Sequence, residues 1–247
     1  FNQRVLDEAV NADVPLLDRL FFLTVTGSNL DEFFMVRVGG LELQRAAGMR
    51  KKDPAGLTPA AQLRKIGTRT KQMVADQYAC YHGALVPQLE KAGIRLVMLD
   101  TLSPGEAAGV REMFMQDLLP VLTPMPLDTD GPFPLLQNLD LYVAVALETD
   151  GEDDPRCAYA AVPVARALDR LCSVMGEKGA TAFMLIEDVV ISYIDELFPG
   201  RRVLNAAPFR VTRNADMSVE EEFAEDLAAE MEQVLKQRVT SGCVRLE

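Results

Sequence analysis

The sequence predicts a mixed fold, an all-α helical bundle over residues 1–93 followed by an α+β region over residues 94–247. Two observations predict it. Up to Gly93, apolar side chains recur three and four residues apart, the spacing of buried helix faces. Beyond Gly93 the texture changes to short apolar runs of strand length mixed with helix starts, without strict βαβ alternation.

Residues 3 to 11 read as a short helix with Val5, Leu6 and Val10 on one side. Val14-Pro15 opens the next helix, since proline suits a first turn, and Leu16, Leu17, Leu20, Phe21 and Leu23 form its apolar face. Gly27-Ser28-Asn29 reads as a break, with Ser28 the N-cap of a new helix and Asp31 and Glu32 at its positive end. That helix is expected to run to about Ala47, followed by a polar loop from Met49 to Leu57. Gly39-Gly40 falls inside it, which suits close helix packing. Thr58-Pro59 starts a long helix carrying Leu63, Ile66, Met73, Val74, Tyr78, Tyr81, Leu85 and Leu89, ended by Gly93.

In the second region, Ile94 to Leu99 is expected to be a strand. Ser103-Pro104-Gly105-Glu106 is a capping box opening a helix to about Leu119. Pro120, Pro124, Pro126, Pro132 and Pro134 make a non-helical connector. Leu139 to Leu147 and Cys157 to Val164 read as a hairpin across a turn at residues 151–155. Ala182 to Ile186 is a strand leading into a helix from Glu187 to Phe198, stopped by Pro199-Gly200. Arg202 to Thr212 is a strand, Ser218-Val219-Glu220-Glu221 caps a further helix, and Cys243 to Leu246 begins a last strand.

Composition narrows the chemistry. A net charge of −12 argues against a general nucleic-acid binder, because phosphate neutralisation needs clustered Lys and Arg, though it leaves room for a local basic groove. No segment approaches the roughly 20 apolar residues of a transmembrane span. Cys80, Cys157, Cys172 and Cys243 lack metal-ligand spacing and read as reduced thiols of a cytoplasmic protein. No signal peptide is visible, and a start at Phe1 with a stop after Val244-Arg245-Leu246-Glu247 reads as a fragment cut at both ends. The single histidine, His82, lies in a helix with no Cys or Asp cluster, so neither a zinc site nor a catalytic residue is expected from it. Phosphate-loop, dinucleotide and nucleophile-elbow patterns are absent.

Two stretches remain as candidate sites. Asn29 offers a donor and an acceptor, suited to an adenine edge or a ribose hydroxyl, while Asp31 and Glu32 make a poor phosphate cradle; alternatively, Ser28 and Asn29 only cap a kinked helix. Arg210 and Arg213, in Phe209 to Asp216, can bind phosphate or pair with the acids of residues 219–230.

Phe1-Asn2-Gln3-Arg4-Val5-Leu6, Val14 to Leu20 and Ser28-Asn29-Leu30-Asp31-Glu32-Phe33-Phe34-Met35-Val36-Arg37-Val38 closely resemble the N-terminal region of the long, histidine-phosphorylating bacterial polyphosphate kinases. Leu122-Thr123-Pro124, Pro132-Phe133-Pro134, Leu185 to Val190, Leu197-Phe198-Pro199-Gly200, Phe209 to Asp216 and Val244 to Glu247 continue the resemblance in the family's order. The resemblance implies a helical N-terminal domain over residues 1–93, then a head domain over residues 94–247 that is truncated and used in dimerisation. It implies reversible transfer of the ATP γ-phosphate to polyphosphate through a phosphohistidine, with Mg²⁺. The catalytic histidines and magnesium-associated arginines belong to domains beyond this chain, so the chain alone is expected to be inactive and to hold no cofactor or metal. The family's Ser-Asn-Leu-Asp-Glu-Phe-Phe motif places an ATP-contacting asparagine at Asn29, which is expected to stand exposed with its cap geometry intact. A rival reading, motivated by the lack of catalytic groups and by the apolar, proline-braced segment around Pro132 to Leu136, makes the chain a non-catalytic assembly module whose α+β region dimerises and whose helical region packs on a partner domain.

Overall fold

A computed structural model describes residues 1–127, 134–148, 158–164, 167–174, 181–215 and 242–247. The expected hairpin turn, Cys157, Pro132, Phe133 and the helix after Ser218 lie outside these residues. The two-part fold class is as expected: helices first, then a sheet-containing region. Contacts group the chain into two compact units, Phe1–Ala92 with Val211–Leu246, and Gly93–Arg210 with Glu247.

In unit one, α1 (Asn2–Val10) buries Leu6 and Ala9, while Val10 is exposed. The second helix, α2 (Leu16–Phe33), runs unbroken through Gly27-Ser28-Asn29, so neither the break nor the Ser28 cap exists. The reason is packing: Leu23, Thr26 and Leu30 are buried at helical spacing on either side of the triplet. Continuing that stripe outweighs the roughly 1 kcal/mol that a mid-helix glycine costs. Leu17 and Phe21, counted on the buried face from spacing, are instead exposed. Arg19 takes an inner position, its Nε donating to Ala9 O at 2.8 Å and tying α2 to α1.

The irregularity sits further on. Phe34–Val38 is one π-helical turn, continued by α3 (Gly39–Ala46). A π turn lengthens the hydrogen-bonded ring by one residue, offsets the ladder and leaves a carbonyl for an outside donor. The long helix α4 (Pro59–Cys80) begins as expected, with Thr58 Oγ1 accepting from Ala61 N. It continues through a π turn at Tyr81–Leu85 into α5 (Val86–Lys91). Gly93 ends the run at a φ of 83°, a left-handed conformation that suits glycine. Leu6, Ala9, Leu23, Leu30, Met73, Cys80 and Leu85 form the unit's core.

Unit two opens with β1 (Ile94–Leu96), shorter than the run to Leu99. The helix α6 (Pro104–Met113) starts at the expected capping box, Ser103 N donating to Glu106 Oε2 at 2.9 Å, and ends in a π turn at Phe114–Leu118. The proline-rich connector contains a strand, β2 (Met125–Leu127), which pairs antiparallel with residues 159–161. It is an edge strand, where proline is tolerated because its missing N–H faces outward. Strands β3 (Leu141–Leu147) and β4 (Ala158–Val164) form the expected antiparallel pair, from Leu141↔Val164 to Leu147↔Ala158. A strand absent from the sequence reading, β5 (Leu171–Val174), pairs with β6 (Thr181–Leu185), which lies parallel to β1 on its other side. The helix expected from Glu187 is α7 (Ile186–Ser192) followed by a 3₁₀ turn at Ile194–Leu197. The long strand β7 (Val203–Arg213) pairs antiparallel with β3 through Arg210. Val143, Val145, Val162, Met184, Val189 and Phe114 centre this unit's core.

The last residues of β7, Val211–Arg213, pair with β8 (Cys243–Leu246) within unit one. Thus, among the described residues, 211–215 and 242–246 group with the helical unit rather than with residues 93–210.

Candidate functional site

The helix carrying Asn29 and the end of the second stretch, from Val211 to Ala215, both lie in unit one. The chain passes from β7 into Asn214 and Ala215, and Ala215 N donates to Met35 O at 2.9 Å. Met35 lies in the π turn, so the strand end supplies a donor to a carbonyl of that turn. Asn214 is buried, its N donates to Gly242 O, and its side chain lies directly over Gly39, the first residue of α3. Gly39 is therefore a close-approach glycine as expected, but the approaching group is a side chain from the chain's far end.

A second tie comes from β8. Arg245 Nη1 lies 3.4 Å from Asp31 Oδ1, and the guanidinium stands over the Phe34 ring at 4.9 Å from its centroid. Both charged side chains are largely shielded, at 14% and 13% exposure, which strengthens their attraction relative to a surface pair. Asp31, expected to complement a helix N-terminus, instead has a cationic partner. The Ser-Asn-Leu-Asp-Glu-Phe-Phe segment is thus fixed by α2's packing and by the two contacts that Arg245 makes with Asp31 and Phe34.

Asn29 stands one turn before Phe33 in α2. It is half-buried rather than exposed, and no cap geometry surrounds it. Its Nδ2 is buried without a hydrogen-bond partner among the described residues. An unsatisfied buried amide is costly, about 1–3 kcal/mol, and marks a position where folding has not used the side chain's polarity. Ser28 beside it is exposed. An open groove of about 520 Å³ has Leu30, Phe33, Ile66, Arg69 and Met73 in its lining, and Asn29 is not part of that lining.

The two arginines do not form one site. Arg210 belongs to unit two, where Nε and Nη2 both reach Glu247 Oε2, at 2.9 and 2.6 Å. Arg213 is half-buried at the end of β7 in unit one. The acids of residues 219–230, the alternative partners expected from the sequence, are outside the described residues. His82 stacks on Tyr78 and meets Tyr81 edge-on, a helix histidine in aromatic company. Among the described residues, no three His, Cys, Asp or Glu side chains gather as metal ligands, and no helix is long and apolar enough to cross a membrane.

Sequence reasoning missed Arg245, Asn214 and Met35 as parts of this arrangement. Gly39 was the available signal, since a glycine inside a helix marks close approach, but nothing local names the approaching residue.

Comparison with known proteins adds the following. The family model for the polyphosphate kinase N-terminal domain matches residues 1–97, and that for the polyphosphate kinase middle domain matches residues 106–247. A polyphosphate kinase of Halalkalibacterium halodurans is 44% identical over 248 residues, covering 100% of this chain and 35% of that protein. One from Streptomyces coelicolor is 38% identical over 247 residues, covering 100% of this chain and 32% of its own length. The crystal structure of polyphosphate kinase from Porphyromonas gingivalis superposes with a TM-score of 0.75 at 25% identity, over 98% of this chain and 36% of that one. The chain therefore spans about a third of the length of the relatives it matches.

Proposed function

The chain belongs to the polyphosphate kinase family, and from that premise we propose that it forms one wall of the ATP pocket of an enzyme that reversibly transfers the γ-phosphate of ATP to polyphosphate through a phosphohistidine. One observation carries this reading: the Asn29 side chain, in the motif that resembles the family's ATP-contacting stretch, keeps an amide nitrogen that the fold leaves unpartnered. An amide donor and acceptor on a fixed helix suit the heteroatoms of an adenine edge or a ribose. Glu32, three residues on along the same helix, carries negative charge, which favours the base or sugar over phosphate at this position.

The residues present fit the nucleoside part of ATP and no more. Among the described residues no group of metal ligands gathers for Mg²⁺, so no step through a metal is assigned to them. Asn29 binds and orients; the phosphohistidine and the metal chemistry belong, on this reading, to domains beyond residues 1–247. A phosphate contact at Arg210 would compete with Glu247 for the same guanidinium edge. Arg210→Ala and Arg213→Ala in the intact enzyme test that part of the proposal. A cytoplasmic location and assembly of the enzyme through the region from residue 94 onward belong to the same proposal. Sedimentation of the chain at high concentration tests the assembly, and a strict monomer contradicts it.

The principal test is Asn29→Ala in the intact enzyme. The KM for ATP should rise while autophosphorylation persists; unchanged ATP kinetics would refute the assignment. The 247-residue chain alone should make no polyphosphate from ATP, and synthesis by the purified chain would overturn the division of labour.

A further inference from the structure

Helix α4 carries a basic face on this acidic chain. Arg64, Lys65, Arg69 and Lys71 fall within eight residues, and no Asp or Glu occurs between Asp53 and Asp76. At about 100° per residue these four cations, with Thr68 and Gln72, occupy a single side of the helix about 160° wide. All six side chains are exposed. Lys65 and Arg69 stand four residues apart, where like charges repel across a helix turn. Helical cations are commonly relieved by acids at such spacings, yet no carboxylate among the described residues pairs with Arg64, Lys65, Arg69 or Lys71. The neutral amide of Gln3 accepts from Arg69. Arg64, Lys65, Thr68, Arg69 and Gln72 line an open groove of about 510 Å³.

We infer that this face of α4 is a docking track for a linear inorganic polyphosphate chain. The inference rests on the reading that the parent enzyme handles polyphosphate, and adds where on this chain the polymer lies. The lining presents guanidinium, ammonium, hydroxyl and amide donors and no carboxylate, which suits a ligand made of oxyanions. From Arg64 to Lys71 the cations extend about 10 Å along the helix, suiting a ligand whose charge is drawn out in a line rather than held at a point. The lining residues include no aromatic ring, whereas single-stranded nucleic acids are held by base stacking as well as phosphate contacts. The chain's net charge of −12 repels polyanions elsewhere, so binding should concentrate on this face and fade with ionic strength.

The test is direct binding of medium-chain linear polyphosphate to the 247-residue chain at low salt. Three versions are compared with wild type: Arg64→Glu/Lys65→Glu/Arg69→Glu, its milder counterpart Arg64→Gln/Lys65→Gln/Arg69→Gln, and a control of equal charge change, Arg50→Glu/Lys51→Glu/Lys52→Glu. Circular dichroism verifies folding, and the glutamine version serves if the glutamate version unfolds. The α4 variants should weaken polyphosphate binding by about tenfold or more, and the control by less than about twofold. Equal weakening by the control would reduce the effect to net charge and overturn the track. Absence of binding by wild type would overturn it, and so would equal affinity for a single-stranded DNA oligonucleotide of matched charge. In the intact enzyme, polyphosphate synthesis with unchanged polymer affinity in the α4 variant sinks the track alone. An intact enzyme that makes no polyphosphate sinks the functional reading beneath it.

Discussion

The side chain of Asn214 rests so closely on Gly39 that a Cβ at residue 39 would lie 1.9 Å from its Oδ1 and 2.5 Å from its Cγ. Two effects oppose each other at this position. Replacing a helical glycine by alanine ordinarily stabilises by roughly 0.5–1 kcal/mol. Overpacking a buried contact costs about 1–3 kcal/mol, and an overlap of this size puts the site at the upper end. Gly39→Ala should therefore destabilise the chain in denaturant unfolding, and adding Asn214→Ala should recover part of the loss. A Gly39→Ala protein as stable as wild type would show that Asn214 does not hold this position.

Arg245 and Asp31 should prove coupled. A double-mutant cycle with Arg245→Ala and Asp31→Ala is expected to give about 1–2 kcal/mol of interaction, above the usual surface pair because both groups are shielded. Phe34→Leu should weaken the same tie by removing the ring beneath the guanidinium. Strict additivity of the Arg245 and Asp31 changes would show that β8 is not fastened through this pair.

At the start of α6, Ser103→Ala should cost about 1 kcal/mol in unfolding free energy through loss of the cap. Glu106 gives the box a pH signature. The Ser103 backbone N–H, then the Ser103 hydroxyl, hold its carboxyl below the usual carboxylate range. A lowered folded-state pKa stabilises above the unfolded-state value, and the contribution disappears as pH falls through the folded one. Glu106→Gln should thus be less stable than wild type at neutral pH and indistinguishable from it in strong acid. A gap that persists in acid would exclude the carboxylate as its source.

Thiol labelling should separate the cysteines. Burial, reinforced by Glu187 and Asp169, pushes the Cys172 thiol up, and Cys80 is also buried, whereas Cys243 is exposed. Of these three, Cys243 should alkylate first in the native protein, with Cys80 and Cys172 protected until unfolding. Rapid native labelling of Cys172 would contradict its packing in β5.

Where structure is written locally, the sequence could be read. Thr58-Pro59, Ser103 to Glu106 and Gly93 fix helix ends through caps and a left-handed turn, and each acts within a few residues. The β3–β4 pair followed from its apolar runs. The reading failed where distant packing decides. Gly27-Ser28-Asn29 looks like a break, yet buried neighbours on α2 carry the helix through it. Leu171–Val174 is too short to signal a strand until β6 lies beside it. Asn29 was legible as a polar residue with spare hydrogen-bonding capacity. Its surroundings were not, because Asn214, Ala215 and Arg245 reach that part of the fold from more than 170 residues away.

The decisive measurement separates the nucleoside from the phosphates. In the intact enzyme, the dissociation constants of ATP and of inorganic triphosphate are compared between wild type and Asn29→Ala. Loss of one hydrogen-bonding contact to the base or ribose should weaken ATP by about tenfold and leave inorganic triphosphate unchanged. Equal ATP affinity in the two proteins, or an equal loss for both ligands, would contradict a base or ribose contact at Asn29.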